Sequence, residues 1–265
     1  MASIDAVIQR ARQPGGFSEK RRFTVARQRA IQKMRKFALA DPYYYVLELI
    51  QAAVANGAEY ADIDIKGSEF LLSYVGGGFG GDELGQLFDF LFASKESLEF
   101  ADLRQLALGV NAIMRTEPRE VVIESGDATL AGTHRISIDG RSNTVDVGTP
   151  TEPLKGTYIR ATGMNRSKLG GMYLAYRELR VIEERCLTAP VPIILNSDPI
   201  FGFTTQRIPR IYGFERVISF DEGDLCGTIG IGAAHDSPVI RLLTYGVWIE
   251  SVAVDLLPGA DIGGV

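Results

Sequence analysis

Cysteine and histidine are scarce: the 265-residue chain holds two of each, Cys186 and Cys226, His134 and His235. They are too widely spaced for the close pairs of a zinc site, and two cysteines do not make a disulfide framework, which points to a reducing compartment. Long hydrophobic runs are also missing. No stretch approaches the ~20 apolar residues that a membrane span needs, and Asp5, Arg10 and Arg12 interrupt the one segment where a secretory signal could sit. The sequence therefore reads as cytoplasmic and without a membrane partner. It carries no internal repeat and no low-complexity tract. What is present is ordinary: hydrophobic residues at 46% and charged residues at 23% belong to a soluble globular chain long enough to bury a substantial core.

The net charge of −5 is unevenly distributed. Residues 1–36 hold ten Lys/Arg against Asp5 and Glu19, net +8, which leaves −13 on residues 37–265. A basic arm of this kind either meets an acidic partner, nucleic acid included, or is the solvated face of an amphipathic helix, and the second reading is the plainer one.

Along the chain, Pro14-Gly15-Gly16 separates a short helical pattern, Ile4 to Arg12, from a longer one over Thr24 to Ala40 in which Val25, Ala30, Ile31, Met34, Phe37 and Ala38 share a face. Asp41-Pro42 is a helix start, and Asn56-Gly57 is a C-cap pair, so the next helix runs from about Tyr43 to Ala55. Tyr43-Tyr44-Tyr45 at its start reads as core packing rather than as a stacking platform. Alternation around Ile63 and Ile65, then Phe70 to Val75 after Lys66-Gly67-Ser68, predicts an antiparallel hairpin. A glycine loop, Gly76 to Gly81, follows. Helices are expected over Asp82 to Phe92 and Phe100 to Arg115, with Pro118 as the stop. Strands are expected at Glu120 to Ser125, Ala128 to Ala131, His134 to Asp139, Thr144 to Val147 and Gly156 to Ala161. A helix over Tyr173 to Cys186, a strand over Val191 to Leu195 and a turn at Asn196-Ser197-Asp198-Pro199 close this part. A β-rich segment over about 205–265 contains Leu225 to Ile231, Val239 to Leu243 and Val247 to Val254, and its abrupt end reads as a truncated second domain. The expected organisation is a basic helical segment over 1–40, a pocket domain over 41–203 and the start of a second β-rich domain over 204–265.

The helix Glu48 to Ala58 (ELIQAAVANGA), the hairpin after it and the loop Tyr74 to Phe79 (YVGGGF), followed by Gly81 to Lys95 (GDELGQLFDFLFASK), together resemble the GHKL superfamily of gyrase, heat-shock chaperones, histidine kinases and MutL. The family boxes have the forms E-L-I-x-N-x-x-D-A-G-A and D-x-G-x-G-M. The likeness continues through Leu103 to Met114 (LRQLALGVNAIM), Gly156-Thr157 and Val191 to Asn196 (VPIILN), covering about residues 40–200. Its specificity lies in order and spacing, since glycine runs are common wherever φ > 0 is needed. The resemblance implies an α+β fold, a two-layer α/β sandwich with a mixed sheet backed by helices, with ATP held between helices and a mobile lid. The layout is nearest to the heat-shock-chaperone type.

On the residues themselves, Glu48, Gln51, Ala52 and Ala55 fall at i, i+3, i+4 and i+7 and share one helical face. In the family that face looks at nucleotide, where a Glu activates water, an Asn binds Mg²⁺ and an Asp supports the site. Glu48 matches the Glu, while Ala52 replaces the Asn and Ala55 the Asp, and an alanine side chain cannot ligate a metal. Tyr74 stands where the family has the Asp that accepts from the adenine amine. A hydrogen bond to a charged group is worth ~1.5–3 kcal/mol, so its loss weakens binding about ten- to a hundredfold. Gly76 and Gly78 match the loop glycines, Gly109, Ser94 and Lys95 the phosphate side, and Thr157 the Thr near adenine. Each has a plainer reading: Glu48 as an ordinary helix acid, Lys95 as a solvated lysine beside Glu96, and Asn56 as a C-cap rather than a metal ligand one turn late.

The resemblance thus implies a degenerate member that works by protein-partner binding or dimerisation, with weak or absent ATP hydrolysis. Its rival is an active Mg²⁺-dependent ATPase with Glu48 as general base. A nucleic-acid module led by the basic segment ranks last. A histidine kinase is disfavoured because no His precedes the pocket. The family's second domain contributes a lysine to the γ-phosphate, and from residue 201 onward this chain has four arginines and no Lys.

Overall fold

The structure, a computed structural model, describes residues 24–37, 39–92, 98–169, 175–199, 215–222, 225–231, 239–253 and 262–264. The expected helix over Ile4 to Arg12 lies outside these residues, as do Ser94 and Lys95 and the expected boundary at 203/204.

Helix α1, Thr24–Phe37, is followed by a 3-10 turn, Pro42–Tyr44, that leads into α2, Tyr45–Ala55. Asp41 accepts a hydrogen bond from the Tyr43 N–H at 2.9 Å, the capping role its sequence position implies. The hairpin consists of β1, Ala61–Lys66, and β2, Glu69–Tyr74, in antiparallel register with Lys66 opposite Glu69. Beyond the glycine loop come a short α3, Gly81–Gly85, a 3-10 segment over Leu87–Phe92, and α4, Ala101–Ile113. The single helix expected over Asp82 to Phe92 is therefore two pieces, which meet at Gly85-Gln86, where a glycine leaves the α-helix weakest.

Strands β3 (Glu120–Asp127), β4 (His134–Asp139), β5 (Val145–Gly148) and β6 (Lys155–Thr162) extend the sheet. After α5, Ala175–Arg185, β7 (Ile193–Leu195) runs parallel to β1, and β8 (Asp198–Pro199) turns back on it. The order β5-β4-β3-β6-β2-β1-β7-β8 makes one mixed eight-stranded sheet. Two expectations are corrected. Ala128 to Ala131 is a turn, because Asp127 accepts hydrogen bonds from the Thr129 N–H (2.9 Å) and hydroxyl (2.7 Å), and Ala128 takes a φ of 76°. Asn196 to Pro199 is a turn only at Asn196-Ser197, since Asp198 and Pro199 already pair with β7.

Alternation sets the layers. Ile63 and Ile65, Phe70, Leu72 and Tyr74, Val121 and Ile123, Ile136 and Ile138, and Ile159 and Ala161 are all buried, and their pairings put them on one face of the sheet. The helices pack against that face, with the Tyr45 ring of α2 edge-on to Phe70 at 5.4 Å. On the other face stand cross-strand pairs such as Glu124 with Arg135 and Glu69 with Arg160. Behind the hairpin turn, Arg166 (5% exposed) and Glu178 (0% exposed) form a buried pair with Nε–Oε2 at 2.8 Å. Arg166 also donates to the Gly67 and Glu69 carbonyls, and the Tyr45 hydroxyl to Glu178.

A second sheet of five strands has the order β12-β11-β13-β10-β9: β9 Arg216–Glu222, β10 Leu225–Ile231, β11 Val239–Thr244, β12 Val247–Ala253 and β13 Ile262–Gly264. Strands β9 and β13 add to the three expected there. Arg185, the last residue of α5, lies between the rings of Tyr44 (4.4 Å) and Trp248 (4.6 Å) and donates to the Trp248 and Ile249 carbonyls, tying this sheet to the first unit. Among the described residues no helix is long and apolar enough to cross a membrane.

Candidate functional site

Helix α2 ends in a paired backbone cap. The Ala58 N–H reaches the Ala53 carbonyl at 2.9 Å and the Gly57 N–H the Val54 carbonyl at 3.0 Å, with Gly57 at φ 77°, a conformation open to glycine at little cost. The cap projects Asn56 at the glycine loop. Its Oδ1 accepts from the Gly78 N–H (3.1 Å), its backbone carbonyl from the Gly77 N–H (2.8 Å), and its Nδ2 donates to the Gly78 carbonyl (3.3 Å) and to Asp102 Oδ2 in the first turn of α4 (2.9 Å). A Cβ on Gly76 would stand 2.9 Å from the Asn56 carbonyl oxygen, so the loop packs as closely as its glycines permit.

From Asn56 the loop crosses the end of the sheet. Tyr74, Thr157, Ser125 and His134 are successive cross-strand partners on β2, β6, β3 and β4, forming a polar row on the inward face. Gly78, at φ 74°, passes beside Gly126 and the Ser125 hydroxyl. The Phe79 N–H donates to Ser125 Oγ at 2.8 Å, and the Gly80 N–H to Glu83 Oε2 at 2.7 Å. Consecutive N–H groups from Gly77 to Gly80 therefore all have protein acceptors. Thr157, 2% exposed, shares its hydroxyl with Ser125 at 2.8 Å.

Tyr74 begins this row and is 2% exposed. Burial pushes the phenol pKa up, a side-chain hydrogen bond with Thr157 works against that rise, and the charge of Asp102 adds to it. The ring occupies the position at which the family resemblance places an acceptor for adenine.

On α2, Glu48 is largely withdrawn from water. Burial raises its pKa to about 7, with Arg104 on α4 opposing the rise. Ala52 is fully buried. Gln105 Nε2 donates to Gln51 Oε1 at 3.2 Å, which leaves Gln51 Nε2 and Gln105 Oε1 buried without partners. Gly109 lies inside α4, where its N–H belongs to the helix ladder, and a Cβ there would meet Leu49 Cδ2 at 2.6 Å. It is a contact glycine between α2 and α4.

The structure thus gathers Tyr74, Gly76, Gly78 and Thr157 into one corner, joined by Asn56, Asp102 and Ser125. Glu48 and Gly109 lie along the α2–α4 contact. Ser94 and Lys95 lie outside the described residues. Ser125 could have been found from alternation, since it follows Val121 and Ile123 on the inward register of β3. Asp102 has no such signal, because an acid in a first helical turn is ordinary.

A Mg²⁺–nucleotide needs a metal ligand and donors left over for phosphate. Ala52 offers no ligand, both ends of the Asn56 amide are engaged, and the loop N–H groups from Gly77 to Gly80 are occupied. The residues present do not fit that group in this arrangement. A cleft of about 420 Å³ lies elsewhere, between α5 and β7–β8, lined by Leu179, Leu187, Leu195 and Pro199 with Glu183 and Asp198. No protein-family model matches the chain, and no curated protein matches it.

Proposed function

We propose that the chain is a heat-shock-chaperone-like module of the GHKL type whose nucleotide pocket is closed on itself, and that it acts by binding a protein partner or by dimerising rather than by turning over ATP. The observation that carries this reading is the glycine loop, whose N–H groups from Gly77 to Gly80 each donate to an acceptor within the chain. An anion bound there would first have to displace those acceptors. The GHKL reading itself is supported by layout: a helix capped at Asn56-Gly57, an antiparallel hairpin, the loop, a second helix on the first, and a late strand parallel to β1. Isothermal titration with ATP and with ADP, each with and without Mg²⁺, tests it. No detectable heat is expected, and micromolar binding that requires Mg²⁺ would overturn it.

One observation favours a second reading, a divergent Mg²⁺-dependent ATP hydrolase with Glu48 as general base. Its carboxyl, raised to about 7, is poised where a general base works at neutral pH. ATP turnover that is lost in Glu48→Ala would establish it, and absence of turnover in the parent protein would remove it.

A further inference from the structure

We propose that the cleft between α5 and β7–β8 docks a basic amphipathic helix of a partner protein, which lays its apolar face on the leucines of the cleft and its Lys/Arg side chains on Glu183 and Asp198. The inference deepens the reading of the chain as a protein-binding module and rests on it. The cleft measures about 420 Å³ and has two walls. On the helix wall, Leu179 and Glu183 stand one turn apart on α5, with Leu187 just beyond the helix end. On the strand wall, Asp198 lies opposite Leu195 (6% exposed) and beside Pro199. Each wall thus offers leucine and one carboxylate.

These features set the class of occupant. Leu187 is 42% exposed, apolar surface that an apolar partner face would take out of water. Glu183 and Asp198 are exposed and make no ion pair among the described residues. The arginines of α5 are engaged elsewhere: Arg177 with Asp41 at 2.7 Å, Arg180 with Glu184 at 2.6 Å, and Arg185 with the Trp248 and Ile249 carbonyls. None of the described residues lining the cleft is cationic, so positive charge for the two carboxylates comes from the occupant, and an acidic one is repelled. A helix suits the cleft better than an added strand. Although β8 is the sheet edge, it is two residues long and includes Pro199, which has no N–H to offer an incoming chain. A helix presents apolar side chains at i, i+3, i+4 and i+7 with basic ones to either flank. The strand wall needs little ordering to receive it, because the Asn196 Oδ1 accepts from the Ile65 N–H and the Asn196 N–H donates to the Ile63 carbonyl, both at 2.8 Å.

Fluorescence anisotropy on the full chain tests this, with labelled peptides of about 18 residues, long enough to hold a helix. A leucine–lysine peptide with leucines at i, i+3, i+4 and i+7 should bind with a Kd of roughly 10–100 μM, as suits a small interface. A permuted peptide of the same composition, its leucines spread around the helix, should bind about tenfold more weakly or worse. Glu183→Gln combined with Asp198→Asn should weaken binding of the first peptide by roughly three- to thirtyfold, and Leu187→Ala by about three- to tenfold. Both variants replace exposed side chains and should melt with the parent. No binding to the parent, equal binding of the permuted peptide, or unchanged affinity in either variant overturns the proposal. Heat on titrating Mg²⁺–ATP into the parent overturns the closed-pocket reading, whereas failure of the peptide arms without such heat overturns this docking site alone.

Discussion

Asn56 and Gly78 hold each other by reciprocal hydrogen bonds, the Gly78 N–H to Oδ1 at 3.1 Å and Nδ2 to the Gly78 carbonyl at 3.3 Å, across 22 residues of sequence. The same amide reaches Asp102, so one side chain joins the end of α2, the loop and the start of α4. Asn56→Ala removes all of this while the backbone cap at Gly57 and Ala58 remains. Leaving a half-buried donor and a half-buried carboxylate unsatisfied costs at most about 1–3 kcal/mol. Urea unfolding should show that loss, and hydrogen exchange at Gly78 should accelerate more than exchange in β1. Uniform acceleration across both would count against a local latch.

Glu48 gives a pH dependence of definite sign. Its pKa in the fold, raised to about 7 from the usual value near 4.5, means that the fold prefers the neutral acid. The stability this contributes is complete below about 4.5 and is lost as pH rises through about 7, by up to about 3 kcal/mol. Glu48→Gln stays neutral throughout. It should therefore equal the parent in stability near pH 4.5 and exceed it near pH 8, when both are unfolded with urea. A constant difference at the two pH values would show that burial of Glu48 is not what sets its ionisation.

Local chemistry made much of this fold legible. The Asn-Gly cap, the alternation of the hairpin and of β3, β4 and β6, and the Asp41 cap all depend on residues within a few positions of one another, where propensity and pattern act. Errors fell where a single residue overrode pattern locally. Asp127 drew Thr129 into a turn in place of the expected strand, and Gly85 split a helix. In the candidate corner, Tyr74, Gly76, Gly78 and Thr157 are singled out by the resemblance to the family boxes. What joins them is not, because Asn56 with Asp102 and Phe79 with Ser125 are each 46 residues apart, and such contacts exist only once the sheet has formed. Gly109 shows the same limit, since a glycine at a family position and a glycine at a helix contact look alike in sequence.

That contact is open to a double-mutant test. A Cβ on Gly109 would lie 2.6 Å from Leu49 Cδ2 and 2.7 Å from Cγ, well inside contact distance. Gly109→Ala improves helix propensity by about 1 kcal/mol, yet overpacking a filled core costs about 1–3 kcal/mol, so net destabilisation is expected. Leu49→Ala alone opens a cavity at a cost of about 2–5 kcal/mol. Combined, the two changes should destabilise by clearly less than their sum in urea unfolding, because the new methyl enters the space the leucine leaves. Strict additivity would mean that Gly109 is not held by this contact.

The buried pair of Arg166 and Glu178 anchors the hairpin turn to α5, and its energetics are asymmetric. With both side chains at or below 5% exposed, removing one partner strands a charge without compensation, at about 3–5 kcal/mol. Arg166→Met should accordingly lower the urea midpoint steeply, and it also frees the Gly67 and Glu69 carbonyls from their donor. Glu178→Gln retains an acceptor for the Tyr45 hydroxyl and should cost less than Glu178→Ala, which keeps nothing. Arg166→Met combined with Glu178→Leu removes both charges, so the double variant should be more stable than Arg166→Met alone. If it is instead less stable by the full cost of a second deletion, the pair contributes through packing and backbone hydrogen bonds, and the stranded-charge account of this corner fails.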